Sequence, residues 1–422
     1  MRGLQAGGKG HSRREFLRWA GAAGAVGLAA RSRAAVTPGL PIQHVIIACQ
    51  ENRSFDHYFG YYANVGPYGV PPGYSQPDGN GGSVAPYHLT STSGTFPKHQ
   101  WTDIHSEWDN GKMDGFYTTN GIDALGYFDQ QDLPFYYSLA DHFTLCGNYF
   151  CSLLGGTYPN RLYLCSGTCG GNTTNNIPQG SLTYPMILDV LDAHGITFKN
   201  YNVGLLVEVE ADNEMMLFSN WINDPRINRP ASEYFSDLSN GTLPQVSFIT
   251  CGLFNDEHPP FDVTRGQATQ EVLIGALMKS SAWKSSAYLL AYDEGGGFFD
   301  HVPPPQFDAY GAGIRVPMLV VSPFAKRGHV EGTLFEHSSV LKFLERVFQL
   351  PTLASINHQF DSQTPGANNQ AANGQPFGPP APPRDGRTDI GDLMPCFNFA
   401  LNADYYPQLP AVGGRREPGD LS

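Results

Sequence analysis

The chain is short of charge, and most of what it has is of one sign. Only 15% of its 422 residues are Asp, Glu, Lys or Arg, and the formal net charge is −13. That balance argues against a nucleic-acid binder or a protein held to an anionic membrane, because both need a basic surface. It suits a protein that binds cations. No apolar run approaches the roughly 20 residues needed to cross a bilayer, so no transmembrane segment is expected. The seven cysteines include no CxxC pair, which argues against a zinc knuckle, and their odd number leaves at least one thiol unpaired. There is no GxSxG elbow, no P-loop and no HExxH helix. The usual templates for acyl transfer, nucleotide binding and zinc proteolysis are therefore missing. Internal repeats and a second compositional domain are also absent.

What is present is glycine and proline, 48 and 33 residues, which call for many loops. The N-terminus carries "SRREFL" (12–17), then the short apolar run "WAGAAGAVGLAA" (19–30), then "RSRAA". A basic segment, an apolar stretch and small residues make an export signal. Arg13-Arg14 before Glu15, Phe16 and Leu17 resembles the bacterial twin-arginine signal. Residues 1–35 are expected to be that signal. They hold seven basic residues and one acidic residue, so without them the charge moves from −13 to −19. In an oxidising compartment Cys146 with Cys151, or Cys165 with Cys169, could bridge, although spacing does not assign pairs. Cys49, inside an apolar run, reads as a small buried hydrophobe.

Four continuous apolar runs, "HVIIACQ" (44–50), "QVSFIT" (245–250), "AYLLAYD" (287–293) and "PMLVVSP" (317–323), fit strands covered on both faces. Helix-like stretches alternate with them: "YPMILDVLDAHG" (184–195), "RGQATQEVLIGALMKSSAW" (265–283) and "HSSVLKFLERVFQL" (337–350). The order predicts a three-layer α/β/α sandwich around a mostly parallel sheet, with residues 36–422 as one catalytic domain. Residues 61–100 read as a surface excursion, and 356–386, rich in Pro, Gly, Asn and Gln, as a loose loop.

Ligands bind open α/β sheets beyond the carboxyl ends of the strands. The first run is followed by Glu51-Asn52. The second leads to Asn255, Asp256, Glu257 and His258, and the third to Asp293, Glu294, Asp300 and His301. One such tip would be a solvated turn. Three together gather carboxylates that repel unless a cation joins them, and oxygen ligands suit calcium, magnesium or manganese better than zinc. For a nucleophile, "LLGGTYPNR" (153–161) offers Thr157 after two glycines and before Pro159, where a helix can begin. Local pattern leaves two roles open for Thr157: attacking hydroxyl beside a phosphate cradle, or helix cap.

Several segments, "ENRSFDHYFG" (51–60), "NGKMDGF" (110–116), "GGTYPNR" (155–161), "NDEHPP" (255–260), "YDEGGGFFDHV" (292–302), "RVPMLVVSPFAKRGHV" (315–330), "FEHSSVLKFLERVF" (335–348) and "RTDIGDLMPCFNF" (387–399), occur in an order that resembles bacterial phosphoesterases. These are non-specific phospholipases C and related acid phosphatases of the alkaline-phosphatase-like superfamily. The resemblance covers about residues 41–400. It implies a divalent metal held by Glu51, Asn52, Asp293 and Glu294, with Thr157 as both ligand and nucleophile. It implies phosphate contacts from Asn160 and His258, with His258 giving a proton to the leaving group. His105 and His301 are further pocket candidates, and His301 and His337 have structural roles as alternatives. The expected activity is metal-dependent phosphoric ester hydrolysis on a small-molecule or phospholipid substrate, in the manner of a phospholipase C. Acid phosphatase action on monoesters is the alternative, although 196–244 lacks the histidines some such members place there. The chain ends soon after the catalytic segments, where larger phospholipases C continue, and it offers no amphipathic helix for docking on lipid. Rivals of other classes are a Ser/His/Asp acyl hydrolase and a non-catalytic, metal-stabilised surface binding protein. The signal implies passage through the twin-arginine export machinery to the periplasm, cell surface or medium.

Overall fold

Residues 44–50 form strand β1 (His44–Gln50), which is buried along nearly its whole length. A strand this apolar on both faces has to lie between two layers. In a computed structural model, which describes residues 39–204, 213–356, 379, 381–412 and 421, it lies at the middle of an eight-stranded sheet. The others are β2 (Thr144–Cys146), β3 (Phe198–Val203), β4 (Arg229–Pro230), β5 (Val246–Cys251), β6 (Ser286–Tyr292), β7 (Met318–Val321) and β8 (His329–Glu331). The spatial order is β8-β2-β7-β6-β1-β5-β3-β4. β1 pairs in parallel with both β5 and β6, with Val45 opposite Val246 on one side and Ala287 on the other. Only β7 runs against the rest, because the long connection 293–317 returns it antiparallel beside β6.

The helices pack in two groups. α4 (Thr157–Ser166) touches α5 (Ile187–Ala193) and α8 (Ser338–Phe348), while α7 (Val263–Lys279) touches α3 (Pro134–His142) and α6 (Ala231–Asn240). With the central strands buried on both sides, this is the expected α/β/α sandwich with a mostly parallel sheet. α8 shows why its segment reads as a helix: Val340, Leu341, Phe343, Leu344, Val347 and Phe348 make one buried stripe. α7 starts two residues before its expected boundary, where the Asp262 carboxylate accepts the Thr264 N–H at 2.9 Å. It stops at Lys279 because Ser280 caps the following turn.

Four strands of the sheet, β2, β3, β4 and β8, escaped the sequence reading, and all but β3 are only two or three residues long. β3, "FKNYNV", carries buried Asn200 and Asn202, and lateral bonds satisfy them: Asn200 Nδ2 donates to Asn202 Oδ1 at 2.9 Å and Thr250 Oγ1 to Asn200 Oδ1 at 3.1 Å. β2 is only three residues long. Neither pair that spacing left open is bridged: all seven cysteines are free and buried, and Cys146 Sγ lies 3.7 Å from Cys396 Sγ.

The expected signal, residues 1–35, lies outside the described residues, as do 357–378 and 380 of the Pro/Gly-rich stretch. The end of that stretch is not loose. Residues 384–386 form a turn with Arg384 and Asp385 buried, in which Arg384 donates to both oxygens of Asp308, at 2.9 and 2.8 Å, and to the carbonyls of Ser152 and Gly311, each at 2.6 Å. Residues 61–100 do form an excursion, with a short hairpin pairing 76–77 with 83–84. Among the described residues no helix is long and apolar enough to cross a membrane.

Candidate active site

β5, β1 and β6 are neighbours, so their carboxyl ends lie side by side. Glu51 N–H donates to the Asp256 carbonyl at 2.7 Å, and Asp293 N–H to the Gln50 carbonyl at 3.0 Å. The chain then bends sharply. Asn52 has φ of 60°, a left-handed conformation that Asn tolerates better than most residues, and its N–H donates to Asp293 Oδ1 at 2.8 Å. The glycines after Asp293-Glu294 follow from this crowding. A Cβ on Gly296, at φ +64°, would lie 2.1 Å from the Asn52 carbonyl oxygen. Asn52 and Gly296 need each other.

The side chain of Asn52 indicates what belongs at the centre. One end of its amide lies 3.0 Å from Glu51 Oε2, 2.9 Å from Glu294 Oε1, and 3.1 and 3.2 Å from the two Asp293 oxygens. The other end lies 2.9 Å from His258 Nε2 and 3.3 Å from His99 Nε2. Both histidines place Nδ1 against a backbone carbonyl: His99 against Pro97, at 2.9 Å, and His258 against Pro259. With tautomers assigned from those bonds, each Nδ1 carries the proton and each Nε2 offers a lone pair. Burial also pulls both imidazoles below their ordinary pKa, toward the neutral form. The amide nitrogen therefore belongs with the histidines, and the amide oxygen faces three carboxylates. Oxygens facing oxygens at about 3 Å need a proton or a cation between them, and this donor set fits a hard divalent ion. Turning the amide over would satisfy the carboxylates only by aiming its oxygen at two imidazole lone pairs. Asp293 and Glu294 are pushed well above the ordinary carboxylate range, mainly by burial and further by Glu51. Negative charge here is incompletely compensated by the protein alone.

Arg161 supplies part of the compensation. It donates to Glu51 Oε1 at 2.5 Å and lies 3.5 Å from Glu214 and 3.9 Å from Asp293, all four groups buried. It is the fifth residue of α4, whose first is Thr157. The cap of that helix is Gly156, and the Thr157 hydroxyl instead donates to Glu51 Oε2 at 3.2 Å. The helix-cap alternative for Thr157 is thereby corrected.

Other candidates fall in different places. Asn160 is buried with its amide committed to backbone: Oδ1 accepts from Ser152 and Leu153, at 2.8 and 3.0 Å, and Nδ2 donates to Gly155 and Gly156, at 2.8 and 3.1 Å. It shapes the loop ahead of Thr157 rather than facing the pocket. His105 bonds the Trp101 carbonyl within its own helix, α2 (Trp101–Trp108), between two tryptophan rings. The histidine this segment brings to Asn52 is His99, which sequence reasoning passed over. His301 pairs with buried Asp56 at 2.6 Å, and Arg315 bridges Asp56 and Asp300 at 2.8 and 3.1 Å. This is a neutralised network beside α1 (Phe55–Phe59). His337 braces the Asp293 backbone from behind, donating from Nε2 to the Asp293 carbonyl at 2.8 Å and accepting at Nδ1 from Tyr149 at 3.0 Å. Burial lowers its pKa to about 4.

Glu107, Glu214 and Arg161 were also missed, and Glu257, read as one of the strand-tip carboxylates, has an anchoring role. Glu107 is buried near Glu294, which raises its pKa further beyond the effect of burial. Glu257, at φ 72°, accepts from Gln50 at 3.1 Å, Tyr58 at 2.5 Å, Tyr292 at 2.8 Å and Tyr136, while its carbonyl accepts from Arg53 at 3.0 and 2.6 Å. Anchored so, it aims the next residue, His258. Among the described residues, two further groupings, Asp56–Asp300–His301 and His88–Asp129–Asp132, each bring three possible ligand atoms within 4.8 Å of one another. Arg315 already balances the first.

The phosphoesterase family profile matches residues 42–351. The chain is 29% identical to the non-hemolytic phospholipase C of Burkholderia pseudomallei, over 96% of this chain and 68% of that one. It is 31% identical to the non-hemolytic phospholipase C of Pseudomonas aeruginosa, over 87% of this chain and 59% of the relative, so it spans less than two thirds of that protein. It is 30% identical to phospholipase C A of Mycobacterium tuberculosis, over 81% and 82%. Among solved structures, similarity extends to the lipoteichoic acid synthase LtaP of Listeria monocytogenes, with TM-score 0.43, 9% identity and 78% of each chain covered. It also extends to a protein of the alkaline phosphatase superfamily from Vibrio parahaemolyticus, with TM-score 0.38 and 12% identity over 68% of this chain and 73% of that one.

Because Arg161 is a buried cation facing three carboxylates, Arg161→Met should lower the unfolding free energy by about 3–5 kcal/mol in chelated protein. Added calcium, magnesium or manganese should restore part of that loss. Urea unfolding with and without the ions measures both, and a loss under about 1 kcal/mol would show that Arg161 does not balance the carboxylates.

Proposed function

The chain belongs to the phosphoesterase family and is a phosphoric ester hydrolase; on that premise we propose that it cleaves phosphodiesters in the manner of a phospholipase C, through Thr157 and a divalent cation. The observation that carries this reading is the Thr157 hydroxyl bonded to Glu51, beside an amide oxygen ringed by Glu51, Asp293 and Glu294. Glu51, Asn52, Asp293 and Glu294 would hold calcium, magnesium or manganese, with Thr157 adjoining. Bound there, the ion supplies positive charge that acidifies the hydroxyl and offsets the charge on phosphate.

The chain's own groups do the rest. Thr157 stands at the N-terminus of α4, where the helix dipole favours phosphate oxygens. Its proton passes to Glu51 Oε2, and its oxygen bonds phosphorus as the bond to the leaving alcohol breaks. His258, with Nδ1 tied to a carbonyl, carries the mobile proton at Nε2. As imidazolium it protonates the leaving alcohol; as imidazole it takes a proton from the attacking water as the Thr157–phosphorus bond breaks, and Glu51 returns its proton to the Thr157 oxygen. The twin-arginine segment supports export of the folded protein by that route to the periplasm, cell surface or medium.

Thr157→Val nearly preserves shape, so it should fold and yet lose several orders of magnitude in kcat/KM on p-nitrophenyl phosphorylcholine. Thr157→Ser should keep measurable activity, and EDTA should abolish that of the wild type. A folded Thr157→Val protein retaining more than about a tenth of the rate, a barrier change of only about 1.4 kcal/mol, would overturn the nucleophile assignment.

A proton donor matters most for a poor leaving group. His258→Asn should cost about 10²–10⁴-fold in kcat/KM, which reports the step that expels the alcohol, on an alkyl phosphodiester and far less on a p-nitrophenyl ester, whose anion leaves unaided. Equal losses on both would remove His258 from the acid role. For export, Arg13→Lys with Arg14→Lys should leave the precursor inside the cell, as read by fractionation. Undiminished release of mature protein would refute twin-arginine transport.

A further inference from the structure

One loop around the site carries an apolar group that neither the core nor the proposed chemistry accounts for. Phe96 is 57% exposed, more than any other large hydrophobic side chain among the described residues. A lone exposed phenylalanine needs no explanation by itself. This one has a specific position. Its ring centroid lies 5.8 Å from that of His99 and 5.8 Å from that of His258, and those two rings are 5.7 Å apart. Phe96 therefore continues outward from the two histidines whose Nε2 atoms meet Asn52.

The loop that presents it is held in place. Gly94 N–H donates to the Pro260 carbonyl at 2.9 Å, and Val263 N–H to the Thr92 carbonyl at 3.0 Å. Residues 92–96 are thus stitched to the segment that carries His258. Pro97 is buried, and the His99 bond to its carbonyl fixes the chain beyond. On the same stitched pair of loops, Phe254 packs at a tilt against Phe261, ring centroids 4.4 Å apart, and the preceding Leu253 is 36% exposed. Folding gains nothing from leaving a phenyl ring in water when a buried position would stabilise it. A rigid loop that holds one at the histidine side of the pocket points to a ligand with apolar surface there.

In-line displacement puts the leaving group opposite Thr157, on the side of the residue that protonates it. Resting on the phospholipase reading and on His258 as that residue, we propose that Phe96 is the specificity-determining contact for an apolar leaving group. It covers the glyceride carbons of a phospholipid as the diacylglycerol departs, with Leu253 on the neighbouring loop turned to the same lipid surface. Lipid engagement then comes from two loops and not from an amphipathic helix. No chemistry is added: the phosphorus–oxygen bond breaks as before, and Phe96 contributes only the removal of apolar surface from water.

The test compares two diesters with one head group and different leaving groups: phosphatidylcholine in dioleoylphosphatidylcholine vesicles, and soluble p-nitrophenyl phosphorylcholine. Phe96→Ser should lower kcat/KM on vesicles by about tenfold or more, the size expected from exposing one phenyl ring. On the soluble ester the fall should stay under about threefold. Phe96→Leu should restore most of the vesicle rate, and Leu253→Ser should reduce vesicle co-sedimentation further when combined with Phe96→Ser. Equal losses on both substrates, or none on vesicles, would overturn the assignment while leaving the phospholipase reading intact. A wild-type enzyme inert toward both diesters but active on phosphomonoesters would overturn that reading, and this assignment with it.

Discussion

The site is organised by negative charge brought together where water is scarce. Glu51, Asp293 and Glu294 converge on one amide oxygen because the strands ahead of them are neighbours in a sheet buried on both faces. Carboxylates so placed repel, and burial raises the cost. Arg161 offsets part of that charge from the first turns of α4, and a divalent ion is the natural complement for the rest. The same helix carries Thr157 at its start, so the group that stabilises the cluster and the hydroxyl that would use it are positioned together.

Around this centre, backbone strain and buried hydrogen bonds share the task of aiming side chains. Asn52 and Glu257 both adopt left-handed conformations, and each is held there by several bonds. Glu257 is secured by three tyrosines, a glutamine and an arginine, and the result is a fixed direction for His258. His337 steadies the carbonyl of Asp293, and Asn160 ties down the loop that leads to Thr157. None of these groups needs to touch a substrate to matter, because a displacement of about 1 Å is enough to cost activity at a reacting centre. They explain why polar residues are so numerous inside an otherwise apolar core.

Much of the fold was legible. "HVIIACQ", "VSFIT" and "YLLAY" are apolar at every step, and a pattern without alternation means cover on both faces. β3 was not legible, because Asn200 is satisfied by Thr250 of the neighbouring strand and Asn202 by Asn228, bonds no local window reveals. At the site, Glu51-Asn52 and Asp293-Glu294 stood out because carboxylates directly after apolar runs are unusual. His99 did not, since the segment contains two histidines and nothing in their spacing says which one the helix turns inward. The available signal was its place just ahead of α2, at the loop end where the chain still faces the strand tips.

By itself the sequence determined the four apolar strands, the acidic tips and the hydroxyl after two glycines, because local composition and period encode what one element buries and where it stops. Only the tertiary structure decided which of those groups meet. Arg161 and Glu51 are 110 positions apart, and Asn52 and Asp293 are 241 apart. The orientation of the Asn52 amide depends on two histidine tautomers, each set by a backbone carbonyl in a different loop. Electrostatic energy depends on distance through space and on the exclusion of water, and the order of residues along the chain specifies neither until the sheet has formed.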